Sequence, residues 1–134
     1  MIRIIFCFLA FYFIAYTTYA QSSSPLIITE IMPDPTPARG LPEVEYVEIF
    51  NTTDQLILLS EFTFVYQQTR VSLPAVQLQP QQYALLVRTN FTPLFEKFEI
   101  LVVPIARLSL TNTGALLQLV KTNTNEVVHE VRYA

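Results

Sequence analysis

The stretch LIITEIMPDPTPARGLPEVEYVEIFN, residues 26–51, contains two β-type segments separated by a proline-rich connection. Leu26–Met32 is rich in β-branched residues and ends before Pro33, which has no backbone N–H to donate to a strand ladder. Val44–Asn51 alternates two sets of side chains with the period of an extended strand. Residues 33–42 contain four prolines and one glycine. We therefore predict two strands joined by a stiff, extended loop.

Short β-type runs separated by turn residues continue from there to the C terminus. They cover residues 56–59, 62–66, 70–73, 76–78, 83–88, 99–103, 108–110, 115–120 and 127–133. Residues 92–98 form the one helical candidate, with Thr92 as N-cap and Pro93 as the first helical residue. Strands spaced in this way indicate an all-β sandwich or barrel, and nine prolines disfavour a helical bundle.

The N terminus differs from the rest of the chain. MIRIIFCFLAFYFIAYTTYA, residues 1–20, is apolar except for Arg3 and a few polar residues at its end, which is typical of a secretory signal peptide cleaved between Ala20 and Gln21. Its uninterrupted apolar run is shorter than the ~20 residues needed to span a bilayer, so an uncleaved anchor is the less favoured alternative. We predict a signal peptide over 1–20, a flexible lead-in over 21–25 and one β domain over 26–134. The product is expected to be secreted, periplasmic or held at the cell surface.

Composition excludes several functional classes. The single cysteine, Cys7, lies within the predicted signal peptide, so neither a disulfide framework nor a Cys-based metal site is expected. With only two glycines the chain has no glycine-rich phosphate loop. The net charge of −3 becomes −4 once Arg3 is removed, which argues against binding to nucleic acid or to an anionic membrane.

Four segments carry a resemblance to a known family. Glu30–Pro35 reads EIMPDP and Gly40–Asn51 reads GLPEVEYVEIFN; both resemble the opening of lamin tail domains in their bacterial, secreted branch. Val76–Val87 and Leu108–Leu119 are similar to later segments of that family, although Gln81 stands where glycine is usual and Ala115 replaces an acidic residue. The resemblance covers residues 26–133. It implies an immunoglobulin-like β-sandwich that serves as an interaction or attachment module, and it implies no reaction.

The densest cluster of one functional type is a set of five carboxylates: Glu30, Asp34, Glu43, Glu45 and Glu48. Three or more of them could bind Ca²⁺ if they converged. A regular strand, however, would place Glu45 and Glu48 on opposite faces. We favour an acidic edge with structural hydrogen bonds, and a glycosidase pair would require a cleft that the sequence does not show.

Other candidates for chemistry are sparse. His129 is the only histidine, and the alternation around it places it on an apolar face, which favours packing over catalysis. No nucleophile-elbow motif surrounds Ser60, Ser72 or Ser109. One histidine, with no cysteine after residue 20, argues against a zinc site. We therefore assign no catalytic, cofactor-binding or metal-binding residues, and no cofactor.

Aromatic residues are expected mainly in the core. Tyr46 and Phe50 on one strand, and Phe62 and Phe64 on another, are predicted to point inward. Tyrosines 46, 66, 83 and 133 would be stacking platforms only if exposed, and strand tyrosines are usually packing residues. Asn51-Thr52-Thr53 and Asn90-Phe91-Thr92 match the N-glycosylation sequon, which the bacterial resemblance makes accidental.

These observations favour an exported, non-catalytic module that attaches to a protein or cell-surface partner through loops or an exposed sheet edge. The alternative is an accessory or N-terminal fragment of a larger secreted hydrolase or nuclease, whose catalytic domain would be encoded downstream. A Ca²⁺-dependent adhesion module is a third possibility. As partners we expect an unknown protein, a cell-surface component, or further domains of a longer polypeptide to which this module belongs.

Overall fold

The computed structural model describes residues 23–38 and 40–134. The predicted signal peptide, its cleavage site and the first two residues of the lead-in lie outside this part of the chain. The strands are β1 (Leu26–Met32), β2 (Tyr46–Asn51), β3 (Ile57–Leu58), β4 (Phe62–Tyr66), β5 (Thr69–Ser72), β6 (Gln77–Leu78), β7 (Tyr83–Arg88), β8 (Val102–Ile105), β9 (Ala115–Lys121) and β10 (Val127–Tyr133).

Two four-stranded sheets form a β-sandwich, as predicted. The first sheet has the order β1-β2-β7-β8 and the second has the order β10-β9-β4-β5, while β3 and β6 form a small separate ladder. Neighbouring strands are antiparallel, apart from the parallel pair β7 and β8. At one side of the sandwich β1 packs beside β10.

The main core lies between the facing sides of the two sheets. Phe62 and Phe64 point into it, as predicted. The prediction for β2 is wrong, because Val47 and Ile49 point into this core whereas Tyr46 and Phe50 lie on the opposite, outer face of the first sheet. Alternation alone could not decide between the two faces, because this sheet buries side chains on both.

The predicted helix over residues 92–98 is also wrong in place and type. A 3-10 helix spans Thr89–Phe95 instead, and the residue before it, Arg88, makes no side-chain cap. Thr92 does not accept a backbone N–H as an N-cap would; its hydroxyl donates to the carbonyl of Thr89 at 3.0 Å. No helix in the described part of the chain is long and apolar enough to cross a membrane.

Several predicted strands are shorter, shifted or missing. The run over 56–59 forms only Ile57–Leu58 and then a 3-10 helix over Leu59–Glu61, and the run over 99–103 becomes Val102–Ile105. The strand predicted over 108–110 is absent. The backbone N–H of Leu110 donates to the Glu45 carboxylate at 3.2 Å, so a side chain replaces the neighbouring strand as its partner.

Candidate functional site

Half of the outer face of the first sheet is covered by the chain itself. Side chains of the segment 91–100 and of the loop before β2 pack on Tyr46, Leu85 and Val87, which are almost fully buried. Phe95 is the largest fully buried side chain of this second cluster. We call this region the covered half; here the sheet lies between two apolar layers.

The other half of the same face, the uncovered half, consists of Ile27, Phe50 and Tyr83. These residues are opposite one another on β1, β2 and β7. The rings of Phe50 and Tyr83 lie 4.3 Å apart between centroids, and half of Tyr83 is exposed (50%). The pair therefore presents one exposed aromatic ring, that of Tyr83, supported by the partly buried ring of Phe50.

An open groove of about 430 Å³ runs along the boundary between the two halves. Its lining includes the carboxylates of Glu30, Glu48 and Glu99. Leu41 and Ile100 contribute apolar surface beside them. The groove thus combines acidic groups with an apolar wall, next to the aromatic pair.

A β-bulge in β1 brings Glu30 to this groove. The register slips between Ile28 and Glu30, so that Ile28 faces Ile49 while Glu30 faces Glu48. Without the extra residue, alternation from the buried Ile28 would direct Glu30 into the main core. Ile28 lies in the main core and Ile31 packs against it, at a spacing of three rather than two, but the adjacent Ile27 hides this irregularity in the sequence.

Each carboxylate of this facing pair accepts a hydrogen bond from a hydroxyl group. Tyr46 Oη donates to Glu30 Oε1 at 2.6 Å, and Thr29 Oγ1 donates to Glu48 Oε1 at 2.7 Å. Burial raises the pKa of Tyr46 well above its ordinary value, and the hydrogen bond to Glu30 raises it further. Tyr46 therefore stays a neutral donor that holds Glu30 in place.

The remaining acidic residues of the predicted set stabilise loops. Glu43 Oε1 accepts from the backbone of Ala38 at 3.1 Å, and Asp34 Oδ1 accepts from Thr36 at 3.3 Å. Glu45 binds the backbone of the 106–114 segment, and burial raises its pKa although that hydrogen bond and the charge of Arg88 act in the opposite direction. In the part of the chain that the structure describes, no three metal-ligating side chains converge. The five carboxylates are thus distributed over three places.

Asn51, the last residue of β2, is fully buried and links two turns. Its side-chain amide donates to the carbonyls of Gln55, Leu78 and Gln79 at 2.8, 3.2 and 2.9 Å. Its Oδ1 accepts from the backbone of Thr53 at 2.9 Å. The first sequon is therefore inaccessible in the folded domain, whereas Asn90 of the second is exposed.

The four tyrosines considered as stacking platforms differ in their exposure to solvent. Tyr46 and Tyr66 are buried, and the hydroxyl of the half-buried Tyr133 donates to the Thr111 carbonyl at 2.8 Å. Of the four, only Tyr83 is classed as exposed. Tyr83 lies two residues before the buried Leu85 on the same face of β7. The two residues differ in exposure because the covering layer ends between them, and the sequence offers no signal for that end.

The candidate nucleophiles are dispersed. His129 is half-buried in β10 opposite Leu119. Ser60, Ser72 and Ser109 are exposed, in the Leu59–Glu61 helix, in β5 and in the 106–114 segment respectively. His129 thus lies on the core-facing side of an edge strand, which agrees with the packing role that the alternation indicated.

Comparison with known families identifies the fold. The Lamin Tail Domain model matches residues 19–134, nearly the whole chain. The chain belongs to the lamin tail domain family. The resemblance inferred from the Gly40–Asn51 motif is thereby confirmed, and with it the immunoglobulin-like sandwich. A search of curated proteins found no match.

In this lamin tail domain the residues that carried the resemblance form internal contacts. Tyr46 and Glu30 tie β2 to β1, and Asn51 ties the end of β2 to the turn before β7. Glu45 anchors the segment that leads into β9. Lamin tail domains are immunoglobulin-like and are not known as catalysts. The motif is therefore a framework that positions the outer face of the first sheet.

Proposed function

We propose that this lamin tail domain is exported and acts as a non-catalytic binding and attachment module at the cell surface or outside the cell. The observation that carries the proposal is the uncovered half, where the ring of Tyr83 is half exposed and packs on the partly buried Phe50, whereas Tyr46, Leu85 and Val87 on the same sheet face are buried. Exposed aromatic residues on a preorganised surface are the usual anchors of protein recognition.

The framework around the uncovered half supports this role. Asn51 fixes the turn that follows β2 and the turn that precedes β7, both next to the aromatic pair. Gln81 Nε2 joins these turns by donating to the carbonyls of Thr52 and Thr53 at 3.0 and 3.1 Å. A partner would therefore meet a surface that loses little conformational entropy on binding.

The outer face of the first sheet is a better docking surface than the two edges of that sheet. The outer edge strand β8 contains Pro104, which has no N–H to offer a partner strand, and β1 at the other edge packs beside β10. We thus replace the expected edge or loop recognition with recognition by a face. The export part of the proposal rests on residues 1–20, whose pattern is that of a secretory signal.

A fractionation and capture experiment tests the proposal. The expected result is that the chain accumulates in the envelope or the medium with Gln21 as its first residue. The immobilised protein should retain an envelope partner that a Tyr83→Asp variant loses and that Leu94→Ala, an equally exposed apolar control (51%), keeps. Retention of Met1 inside the cell would contradict export, and hydrolytic activity of the purified protein would contradict the non-catalytic assignment.

A further inference from the structure

We infer that the groove and the adjacent aromatic pair bind an extended segment of a partner protein that carries lysine or arginine side chains. This inference rests on the proposed attachment function and specifies the chemistry of its partner. It is carried by an arrangement of like charges, by the apolar walls around them and by the exposed ring of Tyr83.

The first step is the facing pair of carboxylates. Glu30 and Glu48 are direct cross-strand partners on the outer face, and like charges in that position repel each other. The hydroxyls of Tyr46 and Thr29 each reach one oxygen of this pair, but hydroxyl donors bring no positive charge. A cationic side chain placed between the two carboxylates would remove the repulsion.

The second step concerns the charges that the chain itself supplies. Among residues 23–38 and 40–134, no lysine or arginine lines the groove, whereas Glu99 adds a third carboxylate to it. Several of the described cations are engaged elsewhere: Arg70 donates to Asn125 at 2.8 Å, and Lys121 pairs with Glu126 at 3.5 Å. The described part of the chain thus brings no complementary charge to the groove, and we assign that charge to the partner.

The third step is the aromatic and apolar surface. The aliphatic stem of a lysine or arginine fits against Leu41 and Ile100 while its charged end reaches the carboxylates. Tyr83 offers an exposed ring face for a second cation. The covering layer already shows such contacts, since Arg88 lies 5.7 Å from the Phe91 ring centroid and Lys97 lies 5.2 Å from that of Phe98.

This combination favours a polypeptide over other classes of partner. Nucleic acids and anionic lipids carry the same sign of charge as the groove and would be repelled. An amino-sugar polymer has the right charge, but its ammonium group is attached to the ring without a long aliphatic stem. The apolar walls beside the carboxylates match the stem of a basic side chain instead.

The test measures the binding of a short fluorescent peptide of alternating lysine and serine to the purified exported chain by fluorescence anisotropy. Glu48→Gln and Glu99→Gln should each weaken binding by about two- to fivefold. Tyr83→Ala should weaken it by a similar factor, and Tyr83→Phe should restore it. Higher ionic strength should weaken the wild-type complex, because exposed charges are screened.

Matched controls separate the groove from general charge attraction. Glu61→Gln removes one exposed carboxylate from the second sheet's side of the molecule, and Leu94→Ala removes one exposed apolar side chain from the covering layer. Both should bind the peptide like the wild type. Thermal melts of all variants establish that they are folded, and Tyr83→Leu serves as a second variant that keeps apolar surface but lacks the ring.

Three results would overturn the inference: equal weakening by Glu61→Gln, no weakening by the groove variants, or tighter binding of a deacetylated chito-oligosaccharide at the same residues. An envelope partner captured equally by wild type and by the groove variants would leave the attachment function standing and remove this surface from it. Peptide binding in the groove without any captured envelope partner would support the groove chemistry and contradict the attachment role.

Discussion

The covered and uncovered halves of the first sheet's outer face differ in what holds them. In the covered half, Leu85 and Val87 are stabilised by apolar burial under Phe95 and its neighbours. In the uncovered half, the ring of Tyr83 stays exposed on the partly buried Phe50, and the adjoining turns are fixed by the buried amide of Asn51. One strand pair, β2 and β7, continues through both halves.

This difference shows how a sandwich can expose aromatic surface and still be rigid. Apolar side chains that are left open contribute little to folding, so the backbone beneath them has to be held by other contacts. Here those contacts are the main core on the inner face of the sheet, where Ile49 and Ala84 are fully buried, and the polar contacts of the adjoining turns. The covered half accordingly serves stability, and the uncovered half is available for recognition.

A matched pair of substitutions on β7 tests the difference between the two halves most directly. Leu85 and Tyr83 lie on the same face, two residues apart, with exposed fractions of 2% and 50%. We expect Leu85→Ala to lower the free energy of unfolding by about 3 kcal/mol, because it leaves a cavity under the covering layer. Tyr83→Ala should lower it by less than about 1 kcal/mol. Urea unfolding measures both, and equal losses would show that the uncovered half is also a structural core.

The second prediction concerns the polar support of the uncovered half. Asn51→Ala removes the donor for three carbonyls, so we expect a loss of about 2 kcal/mol in the free energy of unfolding. Amide exchange should also become faster in the turns that flank Phe50 and Tyr83. Asn90→Ala, at an exposed position, is the matched control and should change stability by less than about 0.5 kcal/mol. Similar effects of both substitutions would contradict the role assigned to Asn51.

The sequence was sufficient for the fold class because turn residues and β-branched runs recur at strand spacing, and the Gly40–Asn51 motif was specific enough to indicate the family. It was not sufficient for the faces of β2. Alternation groups the residues of a strand into two faces but does not show which face points to the main core. A sheet that buries side chains on both faces has no polar face that would identify the outer one.

The candidate site was harder to predict, because its features are set by tertiary packing and not by the pattern of one strand. Its features depend on a bulge at Thr29, on where the covering layer stops and on which tyrosine that layer leaves open. All three are consequences of tertiary packing. The sequence placed Glu30 and Glu48 in one acidic set but could not show that they are cross-strand partners.

The third prediction uses the hydroxyl that links the covered half to the groove. Tyr46 lies in the covered half and donates to Glu30 in the groove. Because burial and Glu30 raise the pKa of Tyr46 in the folded protein, its neutral form stabilises the fold below its unfolded pKa of about 10, and this contribution is lost progressively as the pH rises above that value. Tyr46→Phe should cost about 1 kcal/mol at neutral pH and should flatten the alkaline decline in stability. Denaturant unfolding from neutral to alkaline pH measures both effects, and an unchanged alkaline slope would contradict this account.

The fourth prediction concerns Glu48→Gln, which we expect to change stability only slightly. It is the most informative about function, because the substitution should raise the free energy of unfolding and lower the affinity for the peptide. Glu48→Gln removes one charge of the Glu30–Glu48 pair while keeping an oxygen that can accept from Thr29. If the two carboxylates repel each other, the substitution should stabilise the domain by about 0.2–1 kcal/mol at low ionic strength, and the gain should shrink as salt is added. The same substitution should weaken the binding of the lysine–serine peptide. Glu61→Gln, which removes an exposed charge outside the groove, should do neither. A carboxylate that costs stability and improves binding is retained for the partner; one that stabilises the fold belongs to the framework, as Asn51 does.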